Sequence, residues 1–108
     1  MTIRQKVFLL LTKIPPGKVT TYKEIARALN TKAYQAIGQI IKKNPNAPTV
    51  PCHRVIKSDG TLGGYGGKTK GEKVLLKKKL LKQEGIKFRN NKIQNFEQVF
   101  CPFSPADI

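Results

Sequence analysis

The stretch VPCHRVI at residues 50–56 governs how the rest of this chain is interpreted, because it holds the only histidine and one of the two cysteines side by side. Pro51 fixes its own φ and favours an extended conformation for the residue before it, which stiffens the backbone that carries Cys52. A cysteine is a nucleophile as its thiolate, and the neighbouring His53 and Arg54 favour that charged form. Adjacent side chains of an extended segment point to opposite faces, so a Cys52–His53 pair requires a bend or an ordered water. A buried structural thiol beside a histidine with satisfied hydrogen bonds is the alternative, and the flanking sequence has to decide between the two.

The charge of the chain is the second informative feature. The 108 residues suffice for one small domain with a modest core. Lys and Arg together number 21 against 6 Asp and Glu, a net charge of +15. Such an excess predicts a polyanionic partner, with nucleic acid as the first candidate and an acidic membrane as the second. A general solubility charge is the alternative, but +15 is large for that purpose alone.

Cysteine content and hydropathy exclude several classes of protein. Two cysteines without a recognisable signal peptide predict a protein of the reducing cytoplasm, without a disulfide framework. No apolar run approaches the ~20 residues that span a bilayer, so no membrane segment is expected. A structural zinc site needs about four ligands, whereas Cys52, His53 and Cys101 are the only soft ones in the chain. We therefore expect neither a metal nor another cofactor.

The first predicted helix covers residues 2–14 and ends before the Pro-Pro-Gly sequence at residues 15–17. Thr2 has the position and side chain of an N-cap. The apolar residues of this segment have the spacing of one helix face and are Ile3, Val7, Leu10, Leu11 and Ile14.

Two further short helices, joined by about three residues at 30–32, are predicted between residues 21 and 43. Thr21 and Glu24 have the spacing of a capping box at the start of the first of them. An apolar stripe on the other is expected to face the core and consists of Ala33, Ile37, Ile40 and Ile41. Its polar face suits either a helix-turn-helix or an αα-hairpin with a solvated outer side, and the net charge favours DNA. A glycine inside a helix costs about 1 kcal/mol relative to Ala, so Gly38 predicts the close approach of another backbone.

The segment after these helices is rich in Pro and Gly. Residues 44–51 form an irregular, proline-stiffened connector, and residues 55–62 predict a small hairpin with an Asp-Gly turn. Residues 63–67 place four glycines around Tyr65. That loop is either a flexible linker or a segment whose backbone approaches a flat ligand closely. It is not a P-loop, because no Gly-Lys-Ser/Thr follows.

A fourth helix is predicted over residues 71–84, with Gly85 as its C′ residue. Seven lysines lie between residues 68 and 82, and most are expected to line the solvent face. A last hairpin is predicted at residues 86–93, and the aromatic tail, with Cys101, packs back on the core. Together these elements predict a single domain over residues 1–108 that is mainly α with small β-hairpins. Its architecture is a helix-turn-helix (winged-helix-like) DNA-binding domain.

The order of these features resembles the active-site domain of the O6-alkylguanine-DNA alkyltransferases, the methylated-DNA–protein-cysteine methyltransferases. The order is a helix-turn-helix, Asn-Pro, Pro-Cys-His-Arg-Val, a Gly-rich tyrosine loop and a helix that ends in Glu-Gly. The resemblance covers residues 5–88 and leaves residues 89–108 as a tail. It implies direct, single-turnover DNA repair in which an alkyl group passes from guanine O6 to Cys52, without a cofactor.

The resemblance implies a role for each residue that matches the family pattern. His53 would act through a water as the base that forms the Cys52 thiolate, and Glu84 would orient His53. Asn44 would order the connector before the active-site stretch. Tyr22 would donate a hydrogen bond or proton to the leaving guanine.

The same resemblance implies a base pocket and a DNA-binding surface. The amide of Gly66 would bind O6, the carbonyls of Cys52 and Val55 would read the exocyclic amine, and Tyr65 and Ile41 would form walls. The target base would be flipped out of the duplex, with the second helix of the motif in the minor groove. The residues expected at the DNA are Gln35, Arg54, Lys32, Ala33, Ala36 and Lys42. The implied partner is double-stranded DNA containing O6-alkylguanine, bound by a monomer in the cytoplasm, at the nucleoid or in the nucleus.

One departure from the family pattern concerns the recognition helix, where Gln35 occupies the position of the family's finger arginine, three residues before Gly38. Glutamine brings no charge, which predicts weaker or slower base flipping unless Lys32 or Lys42 compensates. Residues 68–83 are also longer than the usual pattern.

The chain is also similar to the alkyltransferase-like proteins, which lack the cysteine. Those proteins bind alkylated DNA without repairing it and flag the lesion for nucleotide excision repair, whose proteins would then be partners. The presence of Cys52 allows chemistry here. A plain helix-turn-helix regulator is a third interpretation, but it leaves the Cys-His-Arg stretch and the tyrosine loop without a purpose.

Overall fold

A computed structural model describes residues 1–44, 49–64 and 71–107. It confirms the mainly α, helix-turn-helix class that the sequence predicts. The helices are α1 (Ile3–Thr12), α2 (Tyr22–Ala28), α3 (Tyr34–Lys42), α4 (Glu72–Gln83) and α5 (Phe96–Val99), with 3₁₀ turns at Cys52–Arg54 and Pro105–Asp107. The strands are β1 (Thr20–Thr21), β2 (Val55–Ile56), β3 (Phe88–Arg89) and β4 (Lys92–Ile93). No helix in the described part of the chain is long and apolar enough to cross a membrane.

Helix α1 forms as its sequence predicts. The Thr2 hydroxyl accepts a hydrogen bond from the Gln5 amide, and the Gln5 side chain accepts one from the Thr2 amide, which completes a capping box. The helix ends at Thr12, before the prolines. Its buried side chains, Val7, Leu10 and Leu11, belong to the main core cluster.

Helices α2 and α3 form the helix-turn-helix, and residues 29–33 separate them. The Thr21 hydroxyl caps α2 by accepting from the Glu24 amide at 3.0 Å. The reciprocal half of the predicted capping box is wrong, because the Glu24 carboxylate instead accepts hydrogen bonds from Arg27 and from the Phe103 amide in the tail.

Helix α3 carries two corrections to the sequence interpretation. Ile37 and Ile41 face the core, but Ala33 is exposed and precedes the first helical residue. The predicted close approach at Gly38 is also wrong, because a Cβ at that position would meet no described atom within 4 Å. This side of α3 is therefore an open surface, which a flat or ridged partner can approach closely.

The strand β2 pairs with β1 in parallel, with Thr20 opposite Val55 and Thr21 opposite Ile56. The hairpin predicted at residues 55–62 is thus wrong in its pairing. Its turn does form, since the Lys57 amide donates to the Thr61 carbonyl at 3.0 Å. Val55 and Ile56 are both fully buried, and such two-sided burial is typical of a strand inside parallel pairing rather than of a half-exposed hairpin.

The C-terminal segment packs on the domain, as expected. Strands β3 and β4 form the predicted antiparallel hairpin. Val19 then binds the tail on both sides: its amide donates to the Val99 carbonyl at 2.8 Å, and its carbonyl accepts from the Cys101 amide at 2.7 Å. Phe103 is 6% exposed and belongs to the main core cluster.

Helix α4 is capped by Glu84, and Gly85 follows with a φ of +94°, the left-handed conformation expected of a C′ glycine. Lys73, Lys79 and Lys82 are exposed, as expected of the solvent face, but Lys77 is completely buried, whereas Leu76 is 41% exposed.

Candidate active site

A turn of 3₁₀ helix at Cys52–Arg54 supplies the bend that a Cys-His pair requires. The turn is closed by the Arg54 amide, which donates to the Pro51 carbonyl at 3.0 Å. Because a 3₁₀ helix has three residues per turn, successive side chains diverge by roughly a third of a circle instead of facing opposite ways. Cys52 is 5% exposed and His53 is 2% exposed, so both functional groups lie beneath the surface.

His53 is held by a carboxylate from α4. Its Nε2 lies 2.9 Å from Glu84 Oε2, and burial lowers the pKa of His53, although Glu84 opposes this shift. The ring is therefore neutral at pH 7, and the carboxylate assigns the proton to Nε2, since an ionised carboxylate only accepts. The other ring nitrogen, Nδ1, is buried without a hydrogen-bond partner among the described residues. Nδ1 therefore keeps a free lone pair and can accept a proton.

Glu84 is itself fixed by Arg54. The guanidinium donates from Nε to Oε1 at 2.9 Å and from Nη2 to Oε2 at 2.7 Å, a bidentate pair, while Nη1 donates to the Ile14 carbonyl at 2.7 Å. Burial alone would raise the pKa of Glu84, but the hydrogen bonds from Arg54 and His53 outweigh it and lower this pKa. The expected DNA contact of Arg54 is therefore corrected: its side chain is 13% exposed and orients Glu84 and the end of α1.

Lys77 is a site residue that the sequence analysis missed. Its ammonium donates to the carbonyl of Leu62, which precedes the Gly-rich loop, and to the carbonyl of Gly64, the second residue of that loop. Burial lowers the pKa of Lys77 to about 7, and only the charge of the Cys52 thiolate opposes this shift. Lys77 is one of seven lysines in this segment, and residue type alone does not single it out. It lies seven residues, or two helical turns, before Glu84, so both residues lie on the same helix face. This spacing is the one feature of the sequence that could have indicated its burial near Glu84.

The structure also locates Asn44 and Tyr22, two further residues expected at the site. The Asn44 side chain donates to the Val50 carbonyl at 2.7 Å and so spans the connector before Cys52. Tyr22 is half-buried and lies on the wall of a cavity of about 660 Å³. Burial and the Cys52 thiolate charge together raise the pKa of Tyr22 to about 12, so its phenol remains a donor at neutral pH. Gly63, with φ of +70°, sits against this ring, since a Cβ there would lie 3.6 Å from it.

The remaining pocket residues divide into two groups. Val55 and Ile41 are 0% and 6% exposed and belong to the main core cluster with Cys52. Tyr65 and Gly66 lie outside the described residues. Within the described part of the chain, no group of three or more His, Cys, Asp or Glu side chains could hold a metal ion.

The outer face of α3 and the turn before it carry the expected DNA contacts. Five of the six residues expected at the DNA are exposed: Lys32, Ala33, Gln35, Ala36 and Lys42. The sixth, Arg54, is the exception described above. Tyr34 stands among them with 47% of its surface exposed. Helix α3 thus presents an open, basic outer face, while its inner residues Ile37 and Ile41 pack in the same core cluster as Cys52.

Comparison with known proteins agrees with this arrangement. The methylated-DNA--protein-cysteine methyltransferase of Candida glabrata is 46% identical over 92 residues, which cover 84% of this chain and 42% of that protein. The enzyme of the same name from Saccharolobus solfataricus is 48% identical over 84 residues, which cover 78% of this chain and 51% of that protein. The chain therefore spans about half the length of these relatives.

Two solved structures are also similar. OGT of Mycobacterium tuberculosis in complex with DNA has a TM-score of 0.69 at 39% identity and covers 78% of this chain and 50% of that one. Atl1 of S. pombe, in complex with damaged DNA containing O6-carboxymethylguanine, has a TM-score of 0.78 at 28% identity and covers 94% of this chain and 95% of that one. Residues 2–86 match the family described as "6-O-methylguanine DNA methyltransferase, DNA binding domain", and the chain belongs to that family.

Proposed function

We propose that this protein removes the alkyl group of O6-alkylguanine in double-stranded DNA by transferring it irreversibly to Cys52. The single observation that carries the proposal is the buried chain Arg54–Glu84–His53 next to Cys52, which ends in a His53 Nδ1 that has no hydrogen-bond partner among the described residues. A neutral imidazole that presents a bare nitrogen in a buried site is a competent base for a thiol, directly or through one water.

The chemistry balances with the groups at hand. The Cys52 thiol passes its proton to His53, and the thiolate sulfur attacks the alkyl carbon as the C–O6 bond breaks. The bonding electrons move to guanine, and the Tyr22 phenol, with its pKa of about 12, donates a hydrogen bond to the ring as this charge develops. Guanine finally takes up the proton that the thiol lost. The thioether at Cys52 is stable, so each molecule reacts once.

Lys77 supports the same step electrostatically. Its buried ammonium and the Cys52 thiolate attract each other, as the opposing effects on the pKa of Lys77 indicate. In a site shielded from water such a charge stabilises a neighbouring anion more than it would at the surface. Lys77 also anchors the carbonyls of Leu62 and Gly64 and so positions the start of the Gly-rich loop.

Access to Cys52 requires the target base to leave the stack, because the thiol is 5% exposed. The net charge of +15 supplies sequence-independent attraction to phosphates during the search. The exposed residues at the start of α3 are the proposed contact in the groove.

The test is direct. The protein is incubated with excess duplex containing one O6-methylguanine, and the intact protein is then weighed by mass spectrometry. A gain of one methyl group, mapped to the peptide that contains Cys52, is the expected result. Undamaged duplex and the Cys52→Ala variant are the controls, and both should show no gain. A methylated Cys52→Ala protein would place the reaction elsewhere and would contradict the proposal.

A lesion sensor is the second candidate, favoured by the match to Atl1 over nearly the full length of both chains. Under this alternative the protein binds O6-alkylguanine tightly but transfers the alkyl group slowly or not at all, and it flags the site for excision repair. No mass gain together with a lesion-dependent gel shift would support it. Equal affinity for damaged and undamaged duplex, without a mass gain, would contradict both candidates.

A further inference from the structure

Tyr34 is the one large aromatic side chain on the exposed face at the start of α3. It is the first residue of that helix, and 47% of its surface is exposed. The residues around it, Ala33, Gln35 and Ala36, are exposed and smaller, so the ring projects from an otherwise low surface. Tyr34 belongs to neither core cluster of the described residues, and packing of the fold therefore does not account for it.

The ring stands between two cavities. One, of about 660 Å³, is lined by Tyr22, Gln35 and Gly63 among others and lies on the side of the proposed reaction. The other, of about 560 Å³, is lined by Lys23, Arg27 and Lys32 and, on its far side, by residues that include Phe96 and Phe100. Tyr34 lines both. It therefore forms the ridge between the cavity that Tyr22 lines and a trough that carries basic side chains.

The surroundings of this ridge suit a duplex. The trough side offers cationic side chains for a phosphate backbone, and the next turn of α3 is open at Gly38, where a Cβ would meet no described atom within 4 Å. A duplex laid along α3 would thus come close to the helix, and the first group that it meets would be the Tyr34 ring.

We propose that Tyr34 enters the base stack and occupies the space that the extruded nucleotide leaves. The proposal rests on the proposed function, because only an extruded base reaches Cys52 at its 5% exposure. An aromatic ring stacks on the neighbouring bases whatever their sequence, which suits a protein that must act anywhere in DNA. The neighbouring Gln35 can add a hydrogen bond but offers no comparable stacking surface.

Two variants distinguish stacking by the ring from any role of the hydroxyl: Tyr34→Phe removes only the hydroxyl, whereas Tyr34→Ala removes the ring as well. Single-turnover transfer is measured on duplex containing O6-methylguanine and on the free base O6-benzylguanine, which needs no extrusion. Tyr34→Ala should slow the duplex reaction roughly tenfold or more, the effect of one lost stacking contact. Tyr34→Phe should react like the original protein. Both variants should keep the original rate on the free base, and Gln35→Ala should lose less than Tyr34→Ala on duplex.

Two results would overturn the proposal even if alkyl transfer occurs. The first is an unchanged rate of transfer from duplex in Tyr34→Ala. The second is an equal loss of rate on duplex and on the free base, which would mean that the ring lines the pocket and does not enter the stack. If the original protein transfers nothing, the proposed chemistry fails, and extrusion is read instead from the fluorescence of 2-aminopurine next to the lesion. An increase in fluorescence with the original protein and Tyr34→Phe but not with Tyr34→Ala supports the stacking role. An equal increase in fluorescence with all three proteins contradicts it.

Discussion

The buried site around His53 and the exposed face of α3 are built on opposite principles. On the inner side, in the buried site, His53, Arg54 and Glu84 are nearly enclosed and hold one another through hydrogen bonds of 2.7–2.9 Å. At the start of α3, residues 32–36 are all exposed. The inner side is preorganised before any DNA arrives, whereas the outer side acquires its contacts from the partner. Substitutions inside should therefore affect both stability and chemistry, and substitutions outside should affect only the encounter with DNA.

Glu84→Gln is expected to have the largest effect. The amide cannot serve as the charged acceptor for both His53 and Arg54, so His53 loses its fixed tautomer and a nearly buried guanidinium loses its counter-charge. We expect transfer to slow about 100-fold and the free energy of unfolding to fall by about 2 kcal/mol. Single-turnover kinetics and urea unfolding measure the two effects. Glu72→Gln, at the exposed start of the same helix, is the matched control and should change neither substantially.

Lys77→Met tests whether the buried ammonium belongs to the inner side. The pKa of Lys77 is lowered to about 7 in the fold, against about 10.4 in an unfolded chain. Between these values the unfolded state binds more protons, so this group makes the protein more stable as pH rises from about 7 toward 9.5. The gain is absent below pH 7, where both states carry the proton.

The measurement is the melting temperature at pH 7 and at pH 9.5. The increase in melting temperature between pH 7 and pH 9.5 that Lys77 contributes should disappear in Lys77→Met. It should persist in Lys79→Met, because Lys79 is an exposed residue of the same helix. Transfer at pH 7 should also slow in Lys77→Met, roughly tenfold, because the thiolate loses a buried positive neighbour. Identical pH profiles for all three proteins would mean that Lys77 is not titrating in the fold.

Lys32→Gln and Lys42→Gln probe the outer side. Each lysine that neutralises one phosphate contributes about 0.9 to the slope of log affinity against log salt concentration. Each variant should reduce that slope by about this amount, with no change in the melting temperature, because both side chains are exposed. Titrations of undamaged duplex at several salt concentrations provide the slopes. A slope equal to that of the original protein would remove the substituted lysine from the DNA surface.

Gln35→Arg is expected to have the smallest effect. A charged side chain at this exposed position should speed transfer from duplex severalfold by assisting extrusion, without changing the rate on a free base. Gln39→Arg adds the same charge one turn later on α3, also at an exposed position, and should not reproduce the gain. An unchanged rate of transfer in Gln35→Arg would show that the missing positive charge at residue 35 does not limit transfer from duplex.

The features that the sequence predicts correctly depend on interactions of short range along the chain. The capping of α1 by Thr2, the left-handed Gly85 and the hairpin at residues 88–93 depend on neighbours a few positions away, and all three are confirmed. The hairpin predicted at residues 55–62 is wrong because β2 pairs with β1, more than thirty residues earlier. Arg54 was assigned to DNA because its partners, Ile14 and Glu84, are distant in sequence.

The sequence by itself therefore determined the four longer helices, the caps at Thr2, Thr21 and Gly85 and the identity of the Cys-His stretch, because these depend on local backbone geometry and on a specific motif. Only the tertiary structure decided which charges are buried. Of the five lysines that the structure describes between residues 71 and 82, it selected Lys77 for the interior, and it turned Arg54 inward to hold Glu84. The physical reason is that the electrostatic state of a side chain depends on the atoms that replace water around it, and the fold brings those atoms from remote parts of the chain.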